Sequence, residues 1–318
     1  MGHGKLTTPA TEAVLEAFPG ASVVRTSEVC SLWAGYGSIY RVQLSSGGSV
    51  VVKHITPPAN SVSISNVRKV RSYKVEGYFY AHLAPASVSA RLPRVFSIVS
   101  HPNSFCFVLE DLATEFPKSF HSLSGTTLQT ALAWLAHFHA TFWNYDQGGV
   151  AETGGYWYLE TRQEELDAMA NDPLSKKLKK HAETIDKHTR DARFETLMHG
   201  DAKSANILWA DPSTCAWVDF QYVGHGLGAR DVAYLLCSSA SRSEVGAAAD
   251  TNLRHYFETF LAVLADQGKN SHGYTFEQFQ AHFDWCLLDF VRFMAGWGYW
   301  GNYDWAISRT EALLDTLW

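Results

Sequence analysis

One stretch constrains this chain more than any other: His199-Gly200-Asp201-Ala202-Lys203-Ser204-Ala205-Asn206-Ile207-Leu208-Trp209, with Trp217-Val218-Asp219-Phe220-Gln221 just after it. It reads as a polar loop, an apolar segment, a turn, a second apolar segment and an acidic end. Two apolar segments joined by a short turn fold back as a hairpin, which brings their outer ends together. Asp201, Lys203 and Asn206 stand before the hairpin and Asp219 after it, so the four polar groups converge at one edge. Two carboxylates, an amide and an ammonium on one spot suit a polyanion held through a divalent cation. That is the chemistry of phosphoryl transfer from a nucleoside triphosphate. The plainer reading is a polar turn beside a buried hairpin.

The spacing favours the chemical reading. Asp201 and Asn206 keep the five-residue step of the protein-kinase catalytic loop, and Asp219-Phe220 supplies the later metal-binding Asp. His-Gly-Asp stands where His-Arg-Asp is usual, Asp-Phe-Gln replaces Asp-Phe-Gly, and no Ala-Pro-Glu follows. On these residues the chain resembles the aminoglycoside phosphotransferase and choline kinase-like family. The Asp-Phe-Gln and the downstream Asp231 are most similar to its ecdysteroid kinase-like branch. The resemblance implies an α+β, two-lobe, protein-kinase-like fold, with a small β-rich N-lobe over 1–112 and a larger, mostly helical C-lobe over 113–318.

Composition sets limits without naming a function. The 318 residues suffice for two lobes, and 46% apolar with 18% charged is ordinary for a globular protein. A net charge of −6 argues against nucleic acid as a partner, where a basic face is expected. The five cysteines, Cys30, Cys106, Cys215, Cys237 and Cys286, are odd in number and scattered, which fits buried thiols in a reducing compartment. There is no basic-then-apolar leader, Leu6 stands where myristoylation needs Ser or Thr, and no apolar run spans a membrane. The expectation is a cytoplasmic protein without a membrane or nucleic-acid partner. Oligomeric state is not readable from the sequence.

The first third reads as a short helix over 9–18, strands over 28–33, 39–44 and 49–55, a helix over 67–83, and strands over 91–99 and 104–110 around the turn His101-Pro102-Asn103. Ala34-Gly35-Tyr36-Gly37-Ser38 joins the first two strands. Alone it is a plain hairpin turn. Its place before Lys53 on a third strand matches a glycine-rich loop over nucleotide phosphates, where glycine lets backbone N–H groups approach closely. Lys53 closes a Val-Val-Val-Lys run, and a lysine in an apolar strand needs a partner or a path to solvent. Glu76, in the next helix, is the candidate partner, although taken alone it reads as a solvated carboxylate. By resemblance Lys53 contacts the α- and β-phosphates, and the backbone around Glu110-Asp111-Leu112 meets the adenine.

Residues 113–126 read as a linker, and the pattern then turns helical, with Leu128, Leu132, Leu135, His139 and Phe142 on one buried face. His139 there is better read as a core histidine than as a ligand. Helices are expected over 159–170 and 173–193. The second of these carries interleaved lysines and acids, read as a solvated face. Gly224-His225-Gly226-Leu227-Gly228 reads as a mobile or tightly turned loop. Asp231 opens the following helix at a capping position, and by resemblance braces the catalytic loop. Helices near 246–266, 275–294 and 304–317 complete the chain. The aromatic segment 297–305 suits either packing or the lining of an acceptor pocket that exploits cation–π attraction.

The expected function is an ATP- and Mg²⁺-dependent kinase acting on a hydroxyl of a small molecule. Asp201 and Lys203 are the candidate catalytic residues. Asn206 and Asp219 are the candidate metal ligands, and Gly35, Gly37, Ser38, Lys53, Glu76, Glu110 and Leu112 the candidate nucleotide contacts. The alternatives are a catalytically silent nucleotide-binding or scaffold protein of the same fold, and an atypical protein kinase. The missing Ala-Pro-Glu counts against the latter. The acceptor is not readable.

Overall fold

The computed structural model of the chain describes residues 6–58, 64–87, 89–101 and 104–317. Of the turn expected at His101-Pro102-Asn103, the last two residues lie outside these. The chain divides into two compact units: Met1–Pro85 with Leu92–Glu115, and Ala86–Arg91 with Phe116–Trp318.

The first unit holds helix α1 (Thr8–Ala17), strands β1 (Val23–Ser31), β2 (Gly37–Leu44) and β3 (Ser49–Ile55), helix α2 (Ile64–Tyr78), and strands β4 (Val95–His101) and β5 (Ser104–Glu110). The five strands form one antiparallel sheet in the order β1-β2-β3-β5-β4. Alternation along the strands sorts side chains onto two faces. Val50, Val52, Cys106 and Val108 pack with Ala10, Ala13 and Val14 of α1. Lys53 and its cross-strand partner Phe107 point the other way, where Gly77 of α2 lies against the Phe107 ring and Tyr80 follows. The strand β1 starts five residues earlier than the sequence suggests, because Val23 to Thr26 pair with β2 despite exposing polar and apolar side chains alike. Helix α2 runs through a wider π turn over Phe79–Leu83, so the expected single helix is two pieces.

The second unit contains α3 (Thr126–Thr141), α4 (Gln163–Ala168), α5 (Pro173–Lys180), α6 (Ala182–His188), β6 (Glu195–Met198), β7 (Ile207–Asp211), β8 (Thr214–Trp217), β9 (Gly224–Leu227), α7 (Gly228–Ser239), α8 (Arg242–Val245), α9 (Ala249–Asp266), α10 (Phe276–Trp297) and α11 (Tyr303–Leu317). α3 packs on α9 and α7 on α10. Two antiparallel ribbons, β6–β9 and β7–β8, sit among these helices. The architecture is thus an α+β kinase-like fold, a five-stranded antiparallel sheet unit followed by a mostly helical one.

Three expectations change. The helix over 173–193 is two helices: the Asp172 carboxylate caps α5 through the Ser175 N–H, and His181 closes it before α6 begins. The segment over 159–170 is reduced to α4 and one 3₁₀ turn. The glycines from 224 to 226 are a paired strand rather than a loop, and they are small because neighbours leave no room. A Cβ on Gly224 would stand 2.6 Å from the Ala151 carbonyl, and one on Gly226 2.8 Å from Met198 Sδ. Among the described residues the cysteines are unbridged, with Cys30 exposed and the other four buried, and no helix is long and apolar enough to cross a membrane.

Candidate active site

In the first unit, Lys53 and Glu76 meet on the α2 face of the sheet. Lys53 Nζ donates to Glu76 Oε2 at 2.8 Å and to Oε1 at 2.9 Å, and neither side chain is more than 5% exposed. The Tyr73 ring centroid lies 5.6 Å from Nζ and adds cation–π attraction. The solvated reading of Glu76 is therefore replaced by a buried ion pair. Upstream, Ala34, Gly35 and Gly37 all have positive φ (56°, 74° and 125°). Gly37 is required: a Cβ there would meet the His54 carbonyl at 2.1 Å. At Gly35 nothing lies within 4 Å of where a Cβ would stand, while its N–H closes the turn on the Leu32 carbonyl at 3.2 Å. Ser38 Oγ donates to Glu28 Oε1 at 2.8 Å, and the Glu110 carboxylate accepts the Arg94 N–H at 3.0 Å. Leu112 is buried. These side chains are engaged by the protein itself, so a ligand would meet the backbone of these positions. Asp111, between the last two, is held by Arg41 and Ser49; burial alone would raise its pKa, but those hydrogen bonds outweigh it and the carboxyl sits below the usual range.

In the second unit the candidate residues Asp201, Lys203 and Asn206 converge. Asn206 Nδ2 donates to the Asp201 carbonyl at 2.9 Å and to Asp201 Oδ2 at 3.1 Å, and Lys203 Nζ reaches the same Oδ2 at 2.9 Å. The hairpin β7–β8 sets this up. Its register places Ile207 opposite Trp217, and the Val218 N–H returns to the Asn206 carbonyl at 3.0 Å, so Asp219 follows directly on the loop's own end. Asp219 has φ 69°, a left-handed backbone that turns its carboxylate out of the strand direction, and Gln221 Nε2 donates to it at 3.2 Å. Because both amide protons of Asn206 serve Asp201, its Oδ1 is the atom left for a cation. An amide oxygen and a carboxylate are the hard-oxygen donors that Mg²⁺ takes when phosphates supply further ligands. Among the described residues no cluster of three or more His, Cys, Asp or Glu side chains could hold a metal without such help.

The loop is braced from below. Asp231 Oδ2 accepts the His199 N–H at 2.6 Å and Oδ1 the Gly200 N–H at 3.0 Å. Oδ2 also meets His139 Nε2 at 3.1 Å, and His139 Nδ1 meets the Tyr256 hydroxyl at 2.7 Å. Asp231 is thus not a helix cap: it sits inside the first turn of α7 and its carboxylate serves the loop. Gly200 has φ 81° and a Cβ there would stand 2.1 Å from the Tyr222 carbonyl, which explains a glycine where a protein kinase has arginine. His199 is fully buried, with Nε2 3.1 Å from the Val218 carbonyl and Nδ1 accepting the Asp201 N–H at 3.3 Å. These partners place its proton on Nε2, and burial lowers its pKa against the opposing pull of Asp231.

Sequence reading missed two residues. The Tyr234 hydroxyl donates to Asp201 Oδ1 at 3.2 Å, and the Tyr156 hydroxyl lies 2.8 Å from that of Tyr234. Tyr234 stands one turn after Asp231 on α7, a spacing that was visible; nothing local marks Tyr156. In the aromatic segment, Trp300 meets Tyr234 edge-on at 5.8 Å and Trp297 stacks on Phe293 at 5.7 Å, while Trp297 stays half exposed.

The family model described as uncharacterized oxidoreductase dhs-27 matches residues 158–294. Within that span, Gly224, Gly226 and Ala229 fall at the spacing of the Gly-x-Gly-x-x-Ala form of a dinucleotide fingerprint. That fingerprint works only after a strand of a parallel sheet, and here Gly224 and Gly226 lie on an antiparallel ribbon, packed against Ala151 and Met198. No curated protein matches the chain. Solved structures do. A protein described as a fructosamine-3-kinase from Thermobifida fusca aligns at TM-score 0.53 and 15% identity, over 98% of this chain and 99% of that one. An amicoumacin kinase in complex with AMP-PNP, Ca²⁺ and Ami aligns at 0.54 and 11%, over 90% and 88%. A thermostable aminoglycoside phosphotransferase in a ternary complex with ADP and hygromycin B aligns at 0.53 and 14%, over 97% and 99%. At such identities it is the fold that is shared, and in fold this chain stands with the aminoglycoside phosphotransferase and fructosamine kinase-like structures that its motifs resemble.

Proposed function

We propose that this chain is an ATP-dependent kinase that transfers the γ-phosphoryl group to a hydroxyl of a small molecule. The observation that carries the reading is Asp201. Its carboxylate is held by Asn206, Lys203 and Tyr234, on a loop whose backbone is pinned by Asp231. A base so fixed is oriented before substrate arrives, and positioning with electrostatics supplies most of the rate in phosphoryl transfer.

In this scheme Asp201 takes the proton of the acceptor hydroxyl as the new O–P bond forms and the bond to the ADP leaving oxygen breaks. Lys203 offsets charge on the transferred group. Lys53, held by Glu76, would hold the α- and β-phosphates, and the Gly35–Gly37 turn, open around Gly35, would let them approach the backbone. Asn206 Oδ1 and Asp219 would hold Mg²⁺, which when bound neutralises phosphate charge. The nucleotide complexes among the similar folds support the donor.

The test is ATP consumption over a panel of alcohol-bearing metabolites, repeated with two variants. Asp201→Asn should bind nucleotide normally and lose turnover about 10²–10⁴-fold. Asp219→Ala should abolish Mg²⁺-dependent ATP hydrolysis. Near-normal turnover by Asp201→Asn would sink the assignment.

A further inference from the structure

Helix α7 meets the catalytic loop with three side chains. Asp231 takes the N–H groups of His199 and Gly200, Tyr234 donates to Asp201 Oδ1, and Ser239 Oγ accepts the Ser204 N–H at 2.8 Å. One helix therefore holds the loop at three levels, and Tyr234 is the level that touches the reacting carboxylate.

A phenol carries one proton. With the Tyr234 proton on Asp201, Tyr156 must donate to the Tyr234 oxygen, so the chain of bonds runs Tyr156 to Tyr234 to Asp201. Tyr234 is 2% exposed and cannot swing to solvent. Tyr156 is itself anchored: Arg162 Nε donates to its carbonyl at 2.8 Å and the guanidinium lies 5.5 Å from its ring. Burial pushes Tyr156 up to about 12 and Tyr234 well above the usual phenol range, so both stay protonated and able to donate at neutral pH. The opposite oxygen, Asp201 Oδ2, takes Asn206 and Lys203. Oδ1 and Oδ2 are thus gripped from two sides, and the carboxylate has one rotation available.

Resting on the kinase reading above, we propose that Tyr234 is a positioning residue: backed by Tyr156, it fixes the rotation of the Asp201 carboxylate that receives the acceptor's proton. Tyr156 lies upstream in the same line and acts through Tyr234.

Tyr234→Phe removes one oxygen and keeps the ring. It should lower kcat about tenfold with KM for ATP and acceptor within about twofold. Because the phenol acts through Asp201, the same change added to Asp201→Asn should cost nothing further on the residual turnover. A full tenfold loss in that background overturns the proposal, since the phenol would then act on substrate or fold. Tyr156→Phe should lower kcat in the same direction by less. A crystal structure of nucleotide-free Tyr234→Phe gives a readout that needs no acceptor. The Asp201 carboxylate should be rotated or split between rotamers. A single unchanged rotamer overturns the proposal whatever the protein phosphorylates. Absence of phosphorylation by the unaltered protein would instead defeat the kinase reading alone.

Discussion

Lys53 departs from what its type predicts. Lysine is rarely buried, because removing an ammonium from water costs several kcal/mol. Here it is 4% exposed, and Glu76 across from it 1%. The pair is tolerated because both carboxylate oxygens lie within 2.9 Å of Nζ. Such a pair adds little net stability over an apolar pair, yet removing one partner leaves the other's buried charge without its counter-charge. Lys53→Met should therefore destabilise the protein by about 3–5 kcal/mol, and Lys53→Met with Glu76→Leu should recover most of that. Urea titrations of the three proteins check this. A single variant within about 1 kcal/mol of the unaltered protein would mean that water or another group serves the Glu76 carboxylate once Lys53 is gone. The double variant should still lose nucleotide affinity, which separates the pair's structural part from its part in binding.

Elements fix where such residues point. The β2–β3 register puts Gly37 opposite Ile55, with the His54 carbonyl 2.1 Å from where a Cβ would be, at φ 125°. Gly35 shares the positive φ without the crowding. Gly35→Ala should cost about 1–2 kcal/mol from the backbone alone. Gly37→Ala should cost clearly more, because the strand pairing must open. Equal costs in thermal melts would refute this account. The same contrast explains what was legible beforehand. The β3 strand, the β7–β8 hairpin and the Asp201–Asn206 spacing are local patterns, and period and turn chemistry carry them. The strand over Gly224–Leu227 looked like a loop because its glycines answer to Ala151 and Met198, which are distant in sequence. Glu76, the candidate partner of Lys53, reads taken alone as solvated, because nothing near it in sequence tells which face of α2 meets β3. Tyr156 was invisible for the same reason, since its partner is 78 positions away.

At the scale of the whole molecule, burial of titratable groups sets how folding responds to pH. Four histidines of the helical unit, His137, His181, His199 and His282, and His54 of the sheet unit have pKa values lowered chiefly by burial. In the unfolded chain each takes a proton near pH 6.5. Folded, each resists protonation to a lower pH, so between those two values the unfolded state binds more protons. Stability then rises with pH in that window and is complete above about 6.5. Asp111 does not compete there: its folded pKa lies below an already low carboxylate value, so its contribution fades only in stronger acid. The thermal midpoint should accordingly be level from pH 8 to about 7 and fall steadily below about 6.5. The slope of stability against pH should correspond to no more than five protons from these groups. A scan of Tm from pH 8 to 5 measures it, and a flat profile would show that the five rings titrate alike in folded and unfolded chains. His199 gives the fall a functional edge. Protonating it takes Nδ1 from the Asp201 N–H, so the backbone that sets the catalytic carboxylate should loosen along with the fold.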